Sequence, residues 1–257
     1  MRGDPRRRKS SQIKQWPLRA ALATALIMGA GAATAETELS ASLGDSWTRS
    51  SDLSVRQSVT DSDATFRDVH WDSKSFRAPP HYGVRLTYFT EAYPAWGVAL
   101  DFTHYKVYAR TGDTAHVQGR WNGAPVDESA PIDGRVQSFN ISHGVNYVGP
   151  LVLYRFRVLE SPEFKDGRLQ PYVGVGPIYY IDHPESKVNG LVAERYEGSG
   201  WGWQAVAGLR YRLSEHWSAF GELKYDAGNA NVRAGGDGSA STRLRTGHAI
   251  AGVGYSF

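Results

Sequence analysis

The chain has 257 residues, 28 of them glycine, with 12% aromatic residues and no cysteine. Its formal net charge of +3 is misleading, because the first 35 residues hold seven Lys/Arg against the single acid Asp4, leaving a balance of −3 for residues 36–257. That excludes a disulfide scaffold and argues against nucleic-acid binding. Residues 36–257 also lack an apolar run of 18 or more, so no membrane-spanning helix is expected there.

The opening segment reads as an export leader. A basic stretch (Arg2, Arg6, Arg7, Arg8, Lys9, Lys14, Arg19) precedes the short apolar run 20–33, and Ala33-Thr34-Ala35 is a small-x-small cleavage site. The expectation is Sec-type export, cleavage after Ala35 and a mature domain over 36–257.

From there the chain falls into segments of period-two alternation, the signature of strands. In 37–47, Leu39, Ala41 and Leu43 alternate with Glu38, Ser40 and Ser42. In 81–90, Tyr82, Val84, Leu86 and Tyr88 alternate with Gly83, Arg85 and Thr87. In 96–110, Trp96, Val98, Leu100 and Phe102 oppose Gly97, Ala99, Asp101 and Thr103. Segment 145–157 is apolar on both parities, so its register is open. Segment 169–181 alternates but contains Pro171 and Pro177, each of which removes a ladder donor. Segments 201–213 and 217–227 alternate cleanly and are joined by the turn Ser214-Glu215-His216. The last segment, 244–257, sets Ala249, Ala251, Val253, Tyr255 and Phe257 on one face. This ending resembles the final strand of outer-membrane barrels, which the barrel assembly machinery is thought to read.

About eight strands, with short and long connections alternating between them, predict an all-β fold. The expected form is a transmembrane antiparallel up-and-down barrel with short periplasmic turns and long extracellular loops. Lipid supplies no hydrogen-bond partners, so such a sheet must close. The expected lumen charges Arg85, Asp101, Arg210, Arg212, Glu222 and Lys224 would pair with one another in a plugged interior. Trp96, Trp203, Trp217, Tyr211, Tyr225 and Tyr255 would form the aromatic girdle. A soluble barrel or sandwich would need the reverse, an apolar interior and a polar outer face. The location that follows is the outer membrane of a Gram-negative bacterium, as a monomer, with outer-membrane lipid and lipopolysaccharide as partners.

No Gly-x-Ser-x-Gly elbow, HExxH motif or dinucleotide fingerprint is present. Two segments are denser in chemistry than loop filler. One runs from Trp71 and Asp72 through Lys74 and Arg77 to His81; the other is Asp101 to Tyr108, with His104 and Lys106. Both are expected at the outer rim. The stretches WDSKSF, APPHYGVRLTYF, WGVALDFTHYKVYA and FNISHGV in this chain resemble the rhizobial-type lipid A oxidase group, within the superfamily of small OmpA-like eight-stranded barrels. The resemblance implies oxidation of the proximal glucosamine of lipid A to 2-aminogluconate, with molecular oxygen as co-substrate. It supplies no catalytic residues.

From the chemistry alone, Asp72, His81, Asp101, His104 and His143 are candidate bases. Lys74, Arg77 and Lys106, with Trp71 and Tyr108, are candidate substrate contacts. Asp and His ligands would suit a divalent metal, although no spacing singles out a site. The rival reading is a non-enzymatic barrel with a structural, envelope-stabilising or surface-interaction role, displaying the loop 111–134.

Overall fold

The computed structural model describes residues 35–257, the side chains of Ser142 and His143 excepted. The expected leader lies outside the described residues, apart from Ala35. In chain order the strands are β1 (Glu36–Thr48), β2 (Ser51–Gln57), β3 (Ser62–Val69), β4 (Trp71–Asp72) and β5 (Tyr82–Phe89). There follow β6 (Trp96–Ala109), β7 (Thr114–Trp121), β8 (Ala124–Pro131), β9 (Val136–Arg155) and β10 (Leu169–Asp182). The last are β11 (Glu185–Val188), β12 (Leu191–Glu194), β13 (Glu197–Arg212), β14 (Trp217–Ala234) and β15 (Gly238–Ser256).

These fifteen strands correct the expected count of about eight. The closed ring itself has eight members, β1-β5-β6-β9-β10-β13-β14-β15, and the β1–β15 pairing shuts it. Every ring pairing is antiparallel. The other seven strands build onto one end. β2, β3, β7 and β8 continue from the far half of β15, β11 and β12 continue from β9, and β4 adds to β6. The long connections expected as loops are therefore largely folded sheet; 111–134 is mostly the β7–β8 hairpin.

Two storeys result, with opposite polarity. In the ring, the outward side chains include Leu39, Leu43, Val84, Leu86, Val98, Leu100, Leu223 and Val253, all exposed. From Leu39 to Trp47 this face runs about 27 Å along the strand, or about 20 Å after a typical tilt, comparable with a barrel's apolar band. Inside, charges replace the usual apolar core. Above the band the sign reverses. Along β14 the outward residues change from Leu223 and Tyr225 to Asn229, Asn231 and Arg233, while the inward ones change from Glu222, Lys224 and Asp226 to Ala230, Val232 and Ala234. These last three join Leu53, Val55, Phe66, Val117, Phe139 and Ile141 in an apolar core above the lumen. The solvent explains the reversal: the lower storey meets hydrocarbon, the upper meets water.

Two local features put this in place. β15 pairs with β1 so that Trp47 faces Gly247, but with β2 so that Ser54 faces Ser241, a one-residue slip between Thr48 and Leu53. A bulge of that kind swaps the inward and outward parity of the strand as it leaves the membrane band. At the prolines, no pairing joins residues 149–151 of β9 to 176–178 of β10. Pro150 and Pro177 have no N–H to offer there, and Gly149 and Gly176 let the carbonyls approach where a Cβ would collide. The open register of 145–157 has its cause in the lumen. Leu151 and Leu153 turn inward to pack with Tyr172 and Val206, so both faces of this strand are apolar.

Candidate functional site

The lumen binds its charges to one another. Arg85 Nε donates to Asp101 Oδ1 (2.7 Å), and its two Nη groups donate to Glu222 Oε2 (2.6 Å) and Oε1 (2.8 Å). Lys224 Nζ donates to Asp101 Oδ2 (2.7 Å) and Thr103 Oγ1 (2.8 Å), and Tyr172 donates to Glu222 (2.7 Å). Lower down, Arg210 pairs with Glu38 (2.6 Å), while Glu36 takes Arg212 (3.0 Å) and Arg155. Asp101, a candidate base from sequence, is thus fully committed to two cations. His81 is also inward: its Nε2 lies 3.0 Å from His248 Nδ1, and His248 Nε2 lies 2.6 Å from Asp226 Oδ1. Asp226 also accepts from Tyr180 (2.6 Å) and Tyr105 (3.2 Å). This chain closes the top of the lumen and is walled off from lipid.

The even-numbered residues of β6 face outward. Below they are Trp96, Val98, Leu100 and Phe102; above they become His104, Lys106 and Tyr108. The segment 73–81 runs beside them on the way to β5. Lys106 Nζ donates to the carbonyls of Arg77 (3.1 Å) and Ala78 (3.0 Å), and Lys74 Nζ sits 3.8 Å over the Tyr108 ring. Lys74 and Arg77 are exposed, and between them Phe76 is 81% exposed, an apolar ring flanked by two cations at the edge of the apolar band.

His104 is stacked on Tyr82, with centroids 4.9 Å apart, and its Nδ1 lies 2.8 Å from Asn146 Oδ1. The Asn146 amide donates to the carbonyls of Gly144 (3.2 Å) and Ile181 (3.0 Å), so its oxygen faces the imidazole. His104 Nδ1 therefore carries the proton and Nε2 keeps its lone pair. Among the described residues no donor reaches that nitrogen, which is itself buried. Gly144 packs against the same ring so closely that a Cβ would overlap it, and its carbonyl accepts from the His183 N–H (3.3 Å).

Beyond Gly144, the ligand atoms of His183, Glu185 and Glu194 lie within 4.8 Å of one another. Glu185 and Glu194 are direct cross-strand partners of the β11–β12 hairpin, and Glu185 acts electrostatically on Lys106 and Tyr108. One imidazole and two carboxylates fit a divalent cation such as Mn²⁺, Fe²⁺ or Zn²⁺.

Of the sequence candidates, His104, Lys106, Tyr108, Lys74 and Arg77 converge. Four others do not. Asp101 and His81 belong to the lumen. Trp71 is buried in the upper core and donates to Ser51 Oγ (3.0 Å), which corrects its assignment as a substrate contact; Asp72 holds Arg110 (2.6 Å). The side chain of His143 lies outside the described residues. Phe76 and the His183–Glu185–Glu194 set were missed. His183-Pro184-Glu185 was a faint signal, but Glu194 joins it only through the hairpin.

The model of the outer membrane protein beta-barrel domain matches residues 19–257. The chain belongs to that family. As a family member it is an outer-membrane barrel of the Gram-negative envelope. No curated protein matches the chain. Similar solved structures include the outer membrane protein OprG from Pseudomonas aeruginosa, at 15% identity and TM-score 0.45, covering 87% of this chain and 94% of that one. Another is Neisserial surface protein A, at 14% identity and TM-score 0.41, covering 87% and 97%. A third is the outer membrane protease OmpT from Escherichia coli, at 9% identity and TM-score 0.43, covering 86% and 97%.

Proposed function

We propose that this outer-membrane barrel is a lipid A-modifying enzyme that oxidises the proximal glucosamine to 2-aminogluconate at its outer rim. One observation carries the reading: His104, on the outward parity of β6 just above the apolar band, keeps an unprotonated Nε2 in a buried position, and the segment carrying the exposed Lys74, Phe76 and Arg77 is tied to the same strand through Lys106. Phosphate and sugar hydroxyls of a lipid A molecule lie at that height, with its acyl chains along Leu100 and Val98. Lys74 and Arg77 would hold phosphate, and Phe76 would enter the acyl or sugar layer.

In this reading His104 Nε2, buried in the unliganded barrel, takes the proton of the free anomeric hydroxyl once the sugar has displaced its cover. The anomeric carbon then gives up two electrons, and molecular oxygen accepts them with two protons to form hydrogen peroxide. Water opens the resulting lactone to the acid, a net gain of one oxygen. A redox-active divalent cation such as Fe²⁺ or Mn²⁺, held by His183, Glu185 and Glu194, would supply one-electron chemistry toward oxygen. Lys106, tied to the Arg77 and Ala78 carbonyls, positions segment 73–81 over the site.

The test is mass spectrometry of lipid A from a host that makes the free-anomeric substrate. The expected product is heavier by one oxygen on the proximal sugar; an unchanged spectrum with the barrel folded in the outer membrane would defeat the reading. The exposed β7–β8 hairpin favours the rival, a surface-interaction protein, which that negative result would support.

A further inference from the structure

The outward face of β14, β15 and β2 carries a second feature, three strand positions round the ring from β6. Read upward along β15, the outward series is Val253, Ala251, Ala249, Gly247, Arg245, Arg243 and Ser241. Trp47 lies over Gly247, and Tyr225 is the cross-strand partner of Gly247, so an aromatic shelf sits directly below the two arginines. Arg243 faces Asn229 across β14, and Ser241 lies between Asn231 and Ser54. Arg243, Arg245, Asn229, Asn231, Ser241 and Ser54 line an open groove of about 430 Å³ above that shelf. The bulge between Thr48 and Leu53 opens its near edge, where the Arg49 N–H donates to the Arg245 carbonyl (2.9 Å).

The charges here are unbalanced. Among the described residues, no carboxylate pairs with Arg49, Arg243 or Arg245, in contrast to Arg85, Arg210 and Lys224 of the lumen. The acid at the groove edge, Asp52, is taken. It accepts from Arg67 (2.6 Å) and from the Asp68 N–H (3.0 Å). Burial works against its charge, but those two donors hold its carboxyl below the usual range. Arg243 and Arg245 share a face about 7 Å apart. Two guanidiniums at that spacing repel unless an anion lies between them, and a phosphate matches their donor forks.

We propose that this groove binds the phosphate of a phosphorylated glycolipid of the outer leaflet. The chains would lie along Ala249, Ala251 and Val253, the headgroup would rest on Trp47 and Tyr225, and Asn229, Asn231 and Ser241 would donate to the remaining oxygens. Continuity with the apolar band selects a lipid over a soluble anion. The site is independent of the oxidation at His104: it holds a lipid without transforming it.

The test uses the exported protein purified in mild detergent and placed in vesicles containing either bis-phosphorylated lipid A or the same lipid stripped of phosphate. Bound lipid is counted by native mass spectrometry. The expected result is retention of the phosphorylated lipid only, reduced about tenfold in Arg243→Ala/Arg245→Ala and preserved in the double Lys variant. Asn229→Glu, which keeps both arginines, should lose it as well, provided each variant shows heat-modifiable migration. Equal retention of both lipids, or of the phosphorylated lipid by all variants, would overturn the proposal. So would displacement by millimolar inorganic phosphate, which marks a free-phosphate site, or tighter binding of a sulfated polysaccharide, which marks a soluble polyanion site.

Discussion

Arg85 reaches across the lumen to Glu222 with both terminal nitrogens, at 2.6 and 2.8 Å, joining β5 to β14, strands that are not neighbours in the ring. Lipid outside offers the barrel no hydrophobic drive to close around an apolar centre, so a satisfied polar interior takes that place. Arg85→Met leaves Asp101 and Glu222 with fewer partners and should lower stability by about 3–5 kcal/mol, read from urea unfolding in lipid vesicles. Arg85→Met with Glu222→Met should recover part of that loss, and equal stability of all forms would show that the pair is idle.

The polarity reversal along β14 makes a positional prediction. Leu223→Arg, in the apolar band, should cost about 2–4 kcal/mol of folding into a bilayer. Asn231→Arg, eight residues higher on the same outward face, should be near neutral. Matching costs at both positions in a vesicle-folding titration would place the membrane boundary elsewhere.

His104 is tested through its neighbour as well as directly. His104→Ala should abolish the oxygenated lipid A product with barrel yield unchanged. Gly144→Ala, whose Cβ would enter the space of the imidazole, should lower the product by at least about tenfold, because it tilts the ring away from Asn146. Asn146→Asp keeps the Nδ1–H tautomer but sets a carboxylate beside the ring, which favours the imidazolium and should move the pH profile of product formation to higher pH. Full activity in all three would remove His104 from the chemistry.

The His183, Glu185 and Glu194 set should bind one divalent cation per chain, measured by calorimetry with Mn²⁺ or Zn²⁺ on the folded barrel. His183→Ala should weaken that binding by at least about tenfold while leaving the melting of the metal-free protein within a few degrees. Uptake by the variant equal to wild type would show that the three ligands do not act together.

The ring strands were legible because side chains alternate strictly between two solvents. Trp217 to Tyr225, or Ala249 to Tyr255, can be read as one face in hydrocarbon and the other in a polar lumen without knowing any partner strand. The lumen charges were legible for the same reason. The upper storey was not. Its alternation has the opposite sign, so Asn229, Asn231 and Arg233 read as loop once the apolar face was expected outside. His104 and Lys106 could be placed at the rim from their position on β6, but the tautomer of His104 depends on Asn146, 42 residues away. Asp101 and His81 carried the right chemistry for a base and faced the wrong way.

Local pattern alone determined the barrel, its polarity and the height of the candidate site, because period two is a property of each strand by itself. Tertiary structure decided which charges neutralise one another, where the parity turns over, and which His, Glu and Arg stand together. Those depend on register between distant strands, and a one-residue slip such as the one after Thr48 moves every later side chain to the opposite face.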